Sequence, residues 1–128
     1  MPNRLALALL PLALVALAGC AKSPRDQLQG KWRGEGIAKV HGSQQQLADG
    51  WARGLSLEFK GGSVIVVLPA ESPRQGTFTV GKIQGSEVDV TFKRPGGTED
   101  KSRMRFEKDG KVTWLLDGAE IKLAKSEG

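Results

Sequence analysis

One thiol, one imidazole and 14 carboxylate side chains are the groups with which this chain of 128 residues could do covalent or acid–base chemistry. The thiol is Cys20, and one cysteine makes neither an internal disulfide nor a zinc finger. The imidazole is His41, beside Gly42, with no second ligand at metal-binding spacing, so it reads as an exposed loop residue and not as a base or a ligand. Glu58, Asp89, Glu107 and Glu120 are interleaved with Lys and Arg and read as solvated cross-strand pairs. Glu99 and Asp100 fall in a turn, and nothing sets two carboxylates across one cleft as glycoside hydrolysis needs. A nucleophile elbow, a phosphate loop, His-Glu-x-x-His and Cys-x-x-Cys are all missing. The expectation is a protein without catalysis, metal or dissociable cofactor, a hydrolase being the weakest of the readings kept.

The position of Cys20 says more than its reactivity. Residues Met1 to Gly19 begin with a positive charge at Arg4, continue as an apolar run from Leu5 to Ala18 and end on small residues, the pattern of a secretory leader. That run of 14 residues is short of the roughly 20 that a permanent bilayer helix needs. Its end, Leu17-Ala18-Gly19-Cys20, resembles the lipobox of bacterial lipoproteins. The resemblance implies that a type II signal peptidase cuts before Cys20, whose thiol carries a diacylglyceryl group and whose amino group is acylated. Several buried acyl chains hold a protein far more firmly than one, at about 0.8 kcal/mol per methylene. With Ala21 and Lys22 in place of aspartate after the cysteine, the resemblance implies the outer membrane of a bacterial envelope. The expected organisation is a leader over 1–19, an acylated tether over 20–29 and a folded domain over 30–128. The tether contains Pro24, shows no periodicity, and spans roughly 30 Å when extended.

From Gly30 onward apolar and polar residues alternate with period two, broken at intervals by Gly, Pro or charged pairs. Eight strands are expected near Lys31 to Val40, Gly54 to Lys60, Ser63 to Pro69, Gly76 to Ile83, Glu87 to Lys93, Lys101 to Glu107, Lys111 to Leu116 and Glu120 to Ala124. Gly61-Gly62, Asp109-Gly110 and Asp117-Gly118 supply primed hairpin turns, so the strands form an antiparallel meander. One parity collects the apolar side chains, with Gly34, Gly36, Ala38 and Val40 on the inner side of the first strand. The other parity is wet. A meander with one dry face closes into an up-and-down barrel more readily than into a sandwich, and closure removes aggregation-prone edges. The stretch Gly42 to Arg53 carries Leu47 and Trp51 four residues apart behind Ser43, and is expected as a short helix closing one end of the barrel.

Leu28-Gln-Gly-Lys-Trp-Arg-Gly34 resembles the opening of lipocalin and fatty-acid-binding-like barrels, with Gly30-x-Trp32 at the start of the first strand. Phe59 before a glycine turn and Gly76-Thr-Phe78 extend the likeness to the small lipocalin-like lipoproteins of bacteria. The resemblance implies a calycin-type barrel that binds a small apolar or amphipathic molecule. The second and third lipocalin motifs and the internal Arg and Tyr set for a carboxylate are missing, so ligand identity does not carry over.

Six rings on the inner parity, Trp32, Phe59, Phe78, Phe92, Phe106 and Trp114, are the candidate ligand-binding residues, and equally the material of a packed core. A ligand-enclosing interior requires at least about 300 Å3. Ile65, Val67 and Leu115 point outward in apolar type. The Leu47 and Trp51 helix or a neighbouring loop covers some of them, or Ile65 and Val67 form a docking patch for an envelope protein. Without Arg4 the chain carries 18 basic residues against its 14 acidic ones, about +4. Export argues against nucleic acid as partner, and the positive charges are spread over many strands. Solubility is the leading reading of that charge and attraction to anionic headgroups the alternative.

Overall fold

The computed structural model describes residues 22–126. The leader and the lipobox positions Leu17, Ala18, Gly19 and Cys20 lie outside the described residues. The chain forms a closed barrel of eight antiparallel strands in sequential order. They are β1 (Gly30–Ala38), β2 (Ser56–Lys60), β3 (Ser63–Val67), β4 (Arg74–Gln84), β5 (Glu87–Lys93), β6 (Glu99–Phe106), β7 (Val112–Leu116) and β8 (Ala119–Ser126). Pairing of β1 with β8, Trp32 opposite Lys125 and Ile37 opposite Ile121, closes the sheet. All eight expected strands are present, displaced at their ends by two residues or fewer. No helix among the described residues is long and apolar enough to cross a membrane.

The turns show why neighbouring strands pair as they do. Leu116 pairs with Ala119 across Asp117 and Gly118, whose φ angles of 48° and 83° give the two-residue primed turn that suits strand twist. Between β2 and β3, Gly61 alone takes a positive φ, 60°. Asp109-Gly110 is not a two-residue turn. Gly110 donates to the Glu107 carbonyl, and Glu107 donates to the Lys111 carbonyl at 2.9 Å, a longer loop in which Gly110 holds the left-handed position.

The core is the inner parity: Trp32, Leu55, Leu57, Phe59, Val64, Phe78, Val88, Val90, Phe92, Met104, Val112, Trp114, Ile121 and Leu123 are all buried. The first strand departs from strict alternation. Gly34 faces Leu123 but Gly36 faces Lys122, so Glu35 is the extra residue of a bulge that flips the parity beyond it. Ile37, not Ala38, therefore packs on the core, and Ala38 lies opposite Glu120 on the outer face.

The tether is also corrected. Pro24–Leu28 is a short helix, α1, whose Ser23 hydroxyl accepts from the Asp26 amide at 3.2 Å. Pro24 sits in its first turn, where a missing N–H costs nothing. Leu28 is 0% exposed and joins the barrel core. Its carbonyl accepts from the Trp32 indole at 2.8 Å, while Gln29 exchanges two hydrogen bonds with Gly61, at 2.7 and 3.0 Å. Lys125 donates to the Gln29 carbonyl and its ammonium lies 4.8 Å from the centre of the Trp32 ring. One end of the barrel, here called the base, is thus plugged by residues that carry no periodicity in the sequence.

The second helix, α2 (Gln45–Arg53), follows a single 3-10 turn over Gly42–Gln44. Ser43 does not cap it; Gln44 holds that position without a side-chain bond. Instead of closing an end, α2 lies along β1 beyond the point where β2 leaves it. The Ile37 amide donates to Asp49 Oδ1 at 3.2 Å and the Ile37 carbonyl accepts from Gln45 Nε2 at 2.9 Å, so two side chains replace the missing strand. A Cβ on Gly34 would lie 2.1 Å from the Ala52 carbonyl oxygen, which explains the small residue there.

Candidate functional site

The end opposite the base, the mouth, is ringed by the starts of β4 and β6 and the ends of β3, β5 and β7. It holds a half-open cavity of about 220 Å3. Val64, Val66, Leu68, Phe92, Trp114 and Leu116 form its apolar wall, and Arg74, Lys93, Arg94, Asp100 and Asp117 stand at its rim. The volume falls short of the roughly 300 Å3 of an enclosing ligand pocket, so only part of a molecule fits inside.

The six candidate rings divide by depth. Phe92 and Trp114 line the cavity, edge to face at 5.8 Å. Phe59 lies behind Phe92 at 6.2 Å and Phe78 packs on Phe59 at 4.8 Å, so these two fill the middle of the barrel as a floor. Trp32 belongs to the base plug. Phe106, half-buried, lies with Trp32, Glu107 and Lys125 around a small cleft near that end. Eight strands leave an interior just wide enough for side chains to fill, which is what these rings do. Of the six rings, Phe92 and Trp114 line the mouth cavity.

Polar partners fix the mouth. Trp114 Nε1 donates to Ser102 Oγ at 2.9 Å, and that hydroxyl donates to the Val90 carbonyl at 3.3 Å, which ties the indole to β5 and β6 at the cavity wall. Arg94 makes a two-pronged bond to Asp100 at 2.8 and 3.1 Å, and this hydrogen bond followed by the attraction of the same carboxylate makes the guanidinium hold its proton more tightly than usual. Arg74 pairs with Glu71. Lys93 has no ion-pair partner among the described residues. Sequence reasoning missed Leu68, Leu116 and the rim cations, because a rim position is set by where each strand stops, and pattern leaves strand ends the least certain.

The remaining chemistry-bearing residues are scattered. His41 is exposed ahead of the 3-10 turn. Asp89 pairs with Arg103 at 3.2 Å, and Glu120 bridges Lys39 at 2.8 Å and Arg105 at 3.3 Å. Glu107 accepts from Thr113 Oγ1 at 2.5 Å and from Arg105 at 3.0 Å, and these bonds hold its carboxyl below the usual range. Among the described residues no three His, Cys, Asp or Glu side chains gather as a metal site. Ile65 and Val67 are half-buried, and α2 packs against β1 instead of covering them. The large apolar side chains most open to water are Leu47 (80%), Ile83 (54%) and Trp51 (41%).

No family model matches the chain, and neither a curated protein nor a solved structure does. Function has to be argued from the site itself.

Proposed function

We propose that this chain is an acylated lipoprotein of the bacterial envelope whose lipocalin-like barrel binds, without catalysis, the apolar end of a small amphipathic molecule at its mouth. The observation that carries the binding half is the cavity of about 220 Å3 walled by Leu68, Phe92, Trp114 and Leu116 beneath Arg74, Lys93 and Arg94. An apolar slot under a cationic rim suits a short hydrocarbon or aromatic group joined to an anionic head. The anchoring half rests on Leu17-Ala18-Gly19-Cys20 after an apolar run. Because α1 begins at Pro24, three residues separate Cys20 from it, a span of at most about 10 Å, against the roughly 30 Å of the whole extended tether.

The binding test uses anilinonaphthalene sulfonate, a naphthalene and a phenyl ring joined to an anionic group, titrated by fluorescence. Leu116→Glu places a negative charge in the slot, against the sulfonate, and should weaken binding by about ten-fold or more while the thermal melt stays cooperative. Equal affinity in the variant removes the mouth as the site. For the anchor, Cys20→Ala should abolish fatty-acid labelling and membrane association, and retention of either contradicts acylation at that sulfur.

The exposed pair Leu47 and Trp51, one helical turn apart on α2, favours a second reading in which a packed barrel docks an envelope protein. Native mass spectrometry of the gently extracted protein separates the two. A retained small molecule supports mouth binding, and a retained polypeptide released by Trp51→Ser supports docking.

A further inference from the structure

Cations that look evenly spread in the sequence are gathered by the fold at the base. Lys60 ends β2, Lys82 lies near the end of β4, Lys108 is in the β6–β7 loop, and Lys22 and Arg25 belong to the plug segment; all five side chains are exposed and none has an ion-pair partner among the described residues. The strand order puts the turns that carry them at the same end of the barrel. Arg25 reaches over Gly62 in the β2–β3 turn, and α1 packs beside β4. Glu87 and Glu107 are paired with arginines of β6, while Asp109 accepts from the Lys111 amide and keeps its charge beside Lys108. Asp26 is the one exposed acid on the plug helix. At the same end, the residue after Lys82 in β4 is Ile83, an exposed apolar side chain. It is carried there by a bulge, since Val80 faces Val90 while Ile83 faces Val88.

We propose that the base is a lipid-docking face, with Lys22, Arg25, Lys60, Lys82 and Lys108 on anionic headgroups and Ile83 seated among them. Lys22 follows Cys20 by two positions, so this face is the one that an acylated amino terminus brings to the bilayer. The geometry rests on that anchoring reading; the charge argument does not. Basic side chains attract an anionic surface additively within a Debye length, and an apolar tip between them adds a contact that water does not offer. A protein partner fits less well, because the one exposed apolar side chain of the face is the aliphatic Ile83, while the rings at this end, Trp32 and Phe106, are buried and half-buried.

The test reconstitutes the full chain with vesicles of phosphatidylethanolamine, alone or mixed with phosphatidylglycerol, and reads flotation and amide hydrogen exchange. Exchange in the loops at 60–63, 84–87 and 107–111 should slow about five-fold on the anionic vesicles only, and high salt should reverse it. The reversal variant R25E/K60E/K108E should lose that protection while still floating through its amino terminus. Ile83→Ser should lose part of it. Flotation with both vesicles but equal exchange in the base loops overturns the docking face and leaves anchoring intact. Salt-sensitive flotation with anionic vesicles only overturns anchoring and supports the face. Flotation with neither overturns both.

Discussion

Leu28→Ala tests whether residues 24–28 are part of the fold or a leash outside it. The Leu28 side chain is 0% exposed among core residues, and its carbonyl takes the Trp32 indole proton at 2.8 Å. Truncation removes the apolar stopper and leaves a void at an end of the barrel where water can enter. Buried Leu→Ala changes cost about 3 to 5 kcal/mol when the site does not collapse, and the proximity of solvent places this one at about 3. For a domain of this size that is a fall in Tm of about 10 to 20 °C. Urea unfolding read by tryptophan fluorescence measures it, with an unchanged slope showing that the same cooperative unit melts. Gln27→Ala on the exposed side of the same helix should stay within about 0.5 kcal/mol of the parent. If Leu28→Ala behaves as Gln27→Ala does, the plug is not part of the folded unit and the short reach to the membrane goes with it.

Asp49→Ala leaves the Ile37 amide without its acceptor at 3.2 Å and frees Gln45, so α2 should loosen from β1; about 1 to 2 kcal/mol of stability and at least about ten-fold faster exchange at Ile37 are expected, and native exchange there would refute strand replacement by side chains. Glu107 has its carboxyl lowered first by Thr113 and then by Arg105, so its contribution is complete above the unfolded carboxylate pKa of about 4.3 and is lost as pH falls through the lower folded value. Thr113→Val should therefore flatten the loss of stability on acidification below about pH 5, measured by urea midpoints across that range, and an unchanged acid slope would count against the assignment. Gly118→Ala, at φ 83°, should cost about 1 kcal/mol by forcing a side chain into the left-handed region; a neutral result would mean that the β7–β8 turn changes type.

Closure of the barrel was readable because each strand keeps one apolar parity and each break holds a residue that tolerates positive φ, as Gly61 and Gly118 do. Glu87–Lys93 matches its expected limits at both ends, since Val88, Val90 and Phe92 alternate without interruption. The signal failed where geometry depends on one residue. Glu35 adds a bulge that no alternation announces, and Ile37 replaces Ala38 on the core. The α1 helix is too short for period 3.6 to register, and Leu28 looks like a lone apolar residue in a polar stretch until its burial is seen. Leu47 and Trp51 suggested a helix closing one end of the barrel, whereas both are exposed and the buried position of α2 is Ala52, pressed against Gly34. The candidate rings were recognisable as inner side chains, but depth along the barrel axis is a property of register. Only the pairing of strands separates Phe92 and Trp114 at the mouth from Phe59 and Phe78 in the floor.

The two ends of the barrel constrain one another. With Phe59, Phe78 and the Leu28 plug filling the axis from the middle to the base, a ligand has access from the mouth only. With the base on a lipid surface, as proposed, that mouth faces away from the bilayer that holds the protein. A long-chain lipid leaving the same leaflet would have to cross water along the barrel's outer wall, exposing its chain at about 0.8 kcal/mol per methylene. The shallow slot of about 220 Å3 returns only a fraction of that cost. The molecules that fit both the depth and the direction of the site are therefore short-chain or aromatic amphiphiles that dissolve as monomers and arrive from the aqueous side. Transfer of a pyrene-labelled phospholipid out of the host vesicle into the mouth, seen as energy transfer from Trp114, would refute this arrangement, and its absence alongside binding of the soluble sulfonate probe is the result it requires.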